Sequence, residues 1–326
     1  MYTFQELSDR IQIALNELEY PHEVPSLFDP VRYTLDAGGK RIRPVLVLMA
    51  LNLFSDDVTP GIAPALGLEM YHNFTLLHDD VMDNASERRG RPTVHLKWDP
   101  NSAILSGDAM QGLAYRLIAE APLNVLKQVI DLFTDTNLEI GAGQQLDMEF
   151  ETRNDVTTEE YLTMIRLKTS VLLGCALKMG ALIGHSSIED ANHLYDFGLN
   201  IGLAFQLQDD WLDCYGDPKT FGKRIGGDIL NDKKTFLLIN ALRLASPEDR
   251  TLMERELNPQ TAILSGNEKI VTFTEIFKRS GAESLCREMI EEYSQKAMGS
   301  LQMVQVSPER LDPLRTLATN LIHRTV

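Results

Sequence analysis

Two short acidic clusters constrain this chain more than any other feature. The first, Asp79-Asp80-Val81-Met82-Asp83, closes an apolar run from Ala63 to Leu77. At helical spacing Asp79 and Asp83 share a face, with Asp80 beside them. Like charges four residues apart repel, and aspartates sit badly against the negative end of a helix dipole. A cation that gathers them would explain why they are there. The pattern returns 130 residues on, as Asp209-Asp210-Trp211-Leu212-Asp213 after the apolar run Leu199 to Leu207. All six aspartates offer carboxylate oxygen, which suits magnesium or manganese better than zinc.

The rest of the chain reads as helix. Phe4, Leu7, Ile11, Leu15 and Leu18 recur at helical spacing. Asp29-Pro30 reads as a cap and first position, with a stop at Gly38-Gly39. Arg43-Pro44 opens a helix to about Phe54, and Pro60 to Asp83 is a long one. Polar, Gly/Pro-punctuated Asn84 to Trp98 reads as a loop. Asp99-Pro100 caps the next helix, and Pro122 starts one toward Glu151. Thr157 and Glu160 form a capping box for a helix from about Glu159 to Ile183. Ser187 starts the helix that carries the second cluster, and Gly216 to Gly227 is a second loop. Three to five helices fill Asp232 to Arg324, one beginning at Ser307-Pro308-Glu309. No period-2 run and no Asn-Gly or Asp-Gly hairpin is found. The expected fold class is therefore all-α: one domain over residues 1–326, a single large helical bundle with a central cavity. The two long central helices would carry their carboxylates at the same end.

A net charge of −16 argues against nucleic acid as a partner. No apolar run approaches the roughly 20 residues of a membrane span. No signal peptide is read at the N-terminus, and Cys175, Cys214 and Cys286 form no CxxC pair. These features point to a reducing, cytoplasmic setting.

Basic residues cluster beside the acidic ones. Gly38-Gly39-Lys40-Arg41-Ile42-Arg43-Pro44 sets three cations at a helix start, where backbone N–H groups already favour an anion. Arg88, Arg89 and Arg91 follow the first cluster. Residues 216–227, basic and glycine-rich, follow the second. That loop lacks P-loop spacing and reads instead as a flap over a phosphate. Carboxylates, metal ions and cations together make a trap for polyphosphate. Apolar walls below them (Leu66, Met70, Phe74 and Leu77; Leu199, Leu203 and Phe205) add a greasy pocket. The combination points to an isoprenoid diphosphate.

At this point the chain resembles the trans-isoprenyl diphosphate synthase (polyprenyl synthetase) family. Six motifs in order carry the resemblance: GGKRIRP at 38–44, HDDVMD at 78–83, RRGRPTVH at 88–95, LKTS at 167–170, FQLQDDWLD at 205–213 and GKRIGGDI at 222–229. The resemblance implies that Lys40, Arg43, His72 and Arg89 hold the diphosphate of isopentenyl diphosphate. It implies that Asp79 and Asp83 bind two Mg²⁺ ions and Asp209 a third, supported by Asp80, Asp210 and Asp213. Arg88, Lys168, Lys223 and Lys233 would hold an allylic diphosphate (dimethylallyl, geranyl or farnesyl). Thr169 and Gln206 would steady the developing allylic cation, and a homodimer is implied.

In such a family, bulky residues just before the first DDxxD set the floor for the growing chain. Phe74 lies five residues before Asp79; Thr75 and Tyr71 lie on the Asp79 stripe, about 6 and 12 Å along the axis. One aromatic at the fifth position, without an insertion in the DDxxD, resembles the short-chain geranylgeranyl pattern, with farnesyl diphosphate as the alternative. A terpene cyclase would carry a different second metal motif and no GGKRIRP. A non-catalytic partner subunit would lose carboxylates or flap lysines, which stand here. A helical scaffold would leave the paired motifs unexplained.

Overall fold

The computed structural model describes residues 1–21, 23–216 and 225–322. Among them the regular secondary structure is helical apart from one hairpin of two two-residue strands. Helices α1 (Phe4–Asn16), α2 (Pro25–Leu35), α3 (Ile42–Phe54) and α4 (Ile62–Met82) precede a hairpin of β1 (Glu87–Arg88) and β2 (Arg91–Pro92). Short α5 (Val94–Lys97), α6 (Pro100–Ile118), α7 (Leu126–Thr152), α8 (Thr158–Ile165), α9 (Val171–Ile183) and α10 (Ile188–Tyr215) follow. The remainder comprises Gly227–Leu230, Phe236–Leu244, Pro247–Glu256, Gly266–Arg279, Ala282–Gln302 and Pro308–Ile322. No helix among the described residues is long and apolar enough to cross a membrane.

Local signals set most of these boundaries. Thr3 with Glu6 and Thr157 with Glu160 form complete capping boxes. The Asp99 carboxylate accepts from the Ser102 N–H at 3.0 Å, and Ser187 Oγ from the Asp190 N–H at 3.0 Å. Each such contact satisfies a helix donor otherwise left to water, worth about 1 kcal/mol.

Five expectations are corrected. Helix α2 begins at Pro25, not at Asp29, and Pro30 lies inside it. Pro25 already supplies the preset φ of a first position. Helix α7 starts at Leu126, four residues after Pro122. The 84–98 segment is not all loop: Arg88 pairs with Arg91 around a two-residue turn. Arg89 and Gly90 both take positive φ there, 54° and 70°. That matches the mirror-image turn preferred by hairpins, with Arg89 in the place usually given to Asn or Asp. The expected single helix over 159–183 is interrupted by a π-turn, Arg166–Ser170. Finally, α1 ends at Asn16, before Leu18.

The chain divides into two compact units. The first comprises residues 1–135, 175–195 and 304–313; the second comprises 136–174, 196–303 and 314–326. In the first, α3 is buried along its whole length from Pro44 to Leu53. Helix α4 packs closely on α6. A Cβ at Gly67 would lie 2.8 Å from the Ala114 carbonyl, and one at Gly107 2.2 Å from His78 Nε2. Only glycine allows this approach, which fixes the end of α4 that carries the aspartates. In the second unit, Phe236, Phe273 and Phe277 are fully buried.

Candidate functional site

In the first unit the site is built on the last turns of α4. Asp83 is the C-cap; its N–H bonds the Asp79 carbonyl at 2.8 Å. The two residues thus sit one turn apart, Asp79 half-buried and Asp83 exposed. Asp80 turns inward, 5% exposed, and accepts from Arg88 Nε at 2.7 Å. Burial raises its pKa and the Arg88 guanidinium opposes that rise. Arg88 Nη2 also stands 3.7 Å from Asp79 Oδ2. The hairpin therefore folds an arginine back onto both adjacent aspartates.

A second cluster surrounds His72. Its Nε2 lies 3.1 Å from Arg43 Nη1. Burial, then Arg43, Arg89, Arg88 and Arg41, holds the imidazole well below its ordinary range. It is therefore neutral at physiological pH, and Nε2 accepts from Arg43. Burial also pulls Arg43 down, to about 10, which leaves it cationic. Arg43 Nε is buried without a hydrogen-bond partner. Arg89 donates to the Gly38 carbonyl and, at 3.4 Å, to Asn73 Oδ1. Lys40 is exposed beside this group in sequence, ahead of α3.

Sequence reasoning missed what lies behind these residues. Arg41, in the left-handed region at φ 48°, pairs with Glu69 at 2.6 Å, both side chains almost wholly buried. Glu69 Oε1 also accepts from Asn73 Nδ2 at 2.9 Å. The Glu69–Asn73 spacing of four could have suggested one helix face; the pairing with Arg41 is long-range. His95 was quoted in a motif but given no role. It is 7% exposed, and both ring nitrogens lack a partner.

An aromatic ladder descends α4 from the aspartates. Ring centroids are 4.7 Å apart for His78–Phe74, 5.4 Å for Phe74–Tyr71 and 5.0 Å for Tyr71–Phe133. Tyr71 is 1% exposed. Thr75 Oγ1 donates to the His72 carbonyl at 2.8 Å.

In the second unit α10 carries the other cluster. Asp210 is buried and accepts from the Tyr161 hydroxyl and, at 3.2 Å, from the Phe236 N–H. Burial, reinforced by the Asp228 carboxylate, pushes its pKa up to about 7. Gln206 Nε2 stands 3.5 Å from Asp210 Oδ1. Asp213 accepts from the Asp228 N–H at 3.1 Å. Asp209 is half-buried and Lys233 exposed. Lys168 and Thr169 lie in the π-turn, a distortion common at functional positions. Lys168 Nζ pairs with Asp147 at 2.5 Å. The turn is clamped by glycines: a Cβ at Gly143 would lie 2.3 Å from Lys168 N, and one at Gly202 2.6 Å from Ser170. Lys223, with most of the expected flap, lies outside the described residues.

Do these residues fit a divalent cation? Among the described residues, no three His, Cys, Asp or Glu side chains are gathered closely enough to cage one. That donor set fits magnesium, which keeps waters and is held by one or two carboxylates plus substrate phosphates. Asp79 and Asp83 supply such a partial set.

Comparison with known proteins identifies the family. Residues 24–273 match the polyprenyl synthetase family profile. A geranylgeranyl diphosphate synthase of Methanosarcina mazei is 39% identical over 269 residues, 80% of this chain and 83% of that one. The crystal structure of a geranylgeranyl pyrophosphate synthase superposes with a TM-score of 0.94 at 41% identity, covering 100% of both chains. A polyprenyl synthase from Caulobacter crescentus, complexed with calcium and isoprenyl diphosphate, superposes at 0.85 with 28% identity, covering 99% and 97%. The family acts on isoprenyl diphosphates with divalent metal ions. The chain belongs to the polyprenyl synthetase family, and it is a trans-prenyltransferase that makes short-chain prenyl diphosphates.

Proposed function

We propose that the chain condenses isopentenyl diphosphate head to tail with dimethylallyl, geranyl or farnesyl diphosphate and stops at the 20-carbon product. The observation that carries this reading is α4 itself, with exposed or half-buried Asp83 and Asp79 at its end and the Phe74–Tyr71 ladder below. Three Mg²⁺ ions, when bound, would supply positive charge that stabilises the leaving diphosphate. Asp79, Asp83 and Asp209 would hold them, with Asp80, Asp210 and Asp213 behind.

The chain's own residues do the rest. Lys40, Arg43, His72 and Arg89 hold isopentenyl diphosphate. Neutral His72 supports this by spending no proton of its own on Arg43, which leaves the guanidinium its other donors. Arg88, Lys168, Lys223 and Lys233 hold the allylic diphosphate. Its C–O bond breaks, and the double bond of isopentenyl diphosphate attacks the allylic cation. A proton then leaves to the departed diphosphate. Thr169 and Gln206 face the cation with oxygen dipoles, and exclusion of water prevents quenching. Phe74, backed by Tyr71 with Thr75 alongside, stops chain growth.

We read residues 1–326 as one catalytic domain. Exposed Ile104 and Leu105 on α6 support a homodimer. Three buried thiols fit a cytoplasmic setting. The test is to incubate the protein with isopentenyl diphosphate and each allylic primer, with Mg²⁺ or EDTA, and to read product masses. A Mg²⁺-dependent ladder ending at 20 carbons supports the reading. An end at 15 carbons favours farnesyl diphosphate, and no elongation overturns it.

A further inference from the structure

The second unit holds a cavity of about 1050 Å³ that none of the roles above uses. The start of α8 and the helix Phe236–Leu244 form two walls, and the helices Pro247–Glu256 and Ala282–Gln302 contribute the others. Val156, Ile239, Leu257, Leu285 and Met289 give it apolar surface. Its size is at the upper end of the roughly 300–1,000 Å³ typical of ligand sites.

Three cations line this cavity, and among the described residues each hydrogen-bonds only a neutral group, with the Asp232 carboxylate an electrostatic neighbour of Lys234. Lys234 Nζ reaches the Asp232 carbonyl at 3.5 Å, Arg243 the Asn240 side-chain oxygen at 3.0 Å, and Arg250 the Arg243 carbonyl at 3.0 Å. Elsewhere in the unit cations find carboxylates: Arg153 with Glu160, Lys168 with Asp147, Arg255 with Glu256, Arg279 with Asp249. Of the acidic lining residues, Asp155 is held by Arg153 at 2.8 Å, and Glu159 and Glu254 are exposed. An apolar hollow edged by cations that, among the described residues, hydrogen-bond no carboxylate suits a single apolar chain with an anionic head.

The cavity is wired to the reaction centre. Thr158 Oγ1 on α8 bonds Asn240 Oδ1 at 3.1 Å across the two walls. The same walls hold Asp210: Tyr161 reaches it from α8, and the Phe236 N–H from the other helix. Helix α8 runs directly into the π-turn that carries Lys168. An occupant that spreads the walls therefore moves both Asp210 and Lys168. It can do so only as far as it binds the spread form better.

We propose that this cavity is a second, non-catalytic site for a single-chain prenyl phosphate, and that filling it lowers turnover by drawing Tyr161 and Phe236 off Asp210. The choice of a prenyl chain rests on the function proposed above; the cavity and its cations do not.

The experiment uses the full chain and a 20-carbon prenyl monophosphate, titrated calorimetrically in EDTA. Wild type and Asp79→Ala are expected to bind it alike. Arg243→Gln with Arg250→Gln is expected to weaken binding about tenfold or more, as loss of charge-assisted contacts implies. Met289→Trp, which narrows the apolar part of the cavity, is expected to weaken it further. In Mg²⁺ assays at low product the arginine double variant and Met289→Trp should turn over like wild type, while inhibition by the monophosphate weakens in parallel. No binding in EDTA, or binding lost in Asp79→Ala but kept in the arginine double variant, overturns the proposal. Binding at the cavity in a protein that elongates no primer would instead overturn the functional reading and leave the site standing.

Discussion

Replacing Glu69 by alanine should damage this protein more than its position, away from any aspartate motif, would suggest. Glu69 is 2% exposed and meets Arg41 at 2.6 Å, and Arg41 is itself 7% exposed. It also accepts from Asn73 at 2.9 Å. Without it, Arg41 keeps the Leu35 carbonyl, and its Nε is already without a partner. Breaking one side of a buried pair leaves an uncompensated charge, a loss of about 3–5 kcal/mol. Two further features add to the effect. Arg41 holds a left-handed backbone, φ 48°, that only its surroundings maintain. Asn73 links Glu69 to Arg89, so the loss should also loosen a guanidinium assigned to isopentenyl diphosphate. Urea denaturation should therefore show a loss of about 3–5 kcal/mol for Glu69→Ala. Near-isosteric Arg41→Met with Glu69→Leu should recover most of it, because neither desolvated charge remains. In assays under stabilising conditions, KM for isopentenyl diphosphate should rise more than kcat falls. A loss below about 1 kcal/mol, the scale of an exposed pair, would refute the reasoning. So would a double variant no more stable than the single one.

Three other outcomes are expected. Asp79→Ala or Asp209→Ala should cut turnover at least about 100- to 1,000-fold with the helical circular dichroism unchanged; wild-type-like rates would remove the metal assignment. Phe74→Ala should extend products beyond 20 carbons, read by mass spectrometry, because the ladder then continues only at Tyr71; an unchanged product range would dismiss Phe74 as the floor. Asp210, pushed up to about 7, favours the fold when protonated. That contribution is complete below the unfolded carboxylate range and is lost as pH rises through about 7. In EDTA, wild type should therefore lose up to about 4 kcal/mol relative to Asp210→Asn between pH 4 and 8; parallel pH–stability curves would contradict the burial of that carboxyl.

What the sequence made legible follows the range of the forces involved. Asp99, Thr157 and Ser187 act within one turn, and each was placed correctly because a cap needs only its near neighbours. Helix α4, with its aspartates one turn apart, was legible for the same reason. The expectation that Asp29 starts a helix failed because Pro25, four residues earlier, competes for the same role. The hairpin was missed because its turn uses Arg89 where Asn or Asp is usual, and only a contact from distant Gly38 and Asn73 accompanies that strain. The π-turn depends on glycines at 143 and 202 that let two other helices close on it.

The same division runs through the site. Which residue types were needed could be read locally, because DDxxD spacing is a property of one helix. Which aspartates face inward could not. Asp80 and Asp210 are claimed by Arg88 and Tyr161, the first eight residues away and the second forty-nine. In each motif the second aspartate is thus held by the protein. The first residue of the motif, Asp79 or Asp209, is half-buried, as the diphosphate contact proposed for it requires. One physical demand explains both arrangements. Adjacent carboxylates cannot all be left charged and close together without a cation, so each motif holds its middle aspartate against the protein by a hydrogen bond. The repeat of that solution, with an arginine in one unit and a tyrosine in the other, is a property of the fold that the repeated DDxxD pattern alone does not contain.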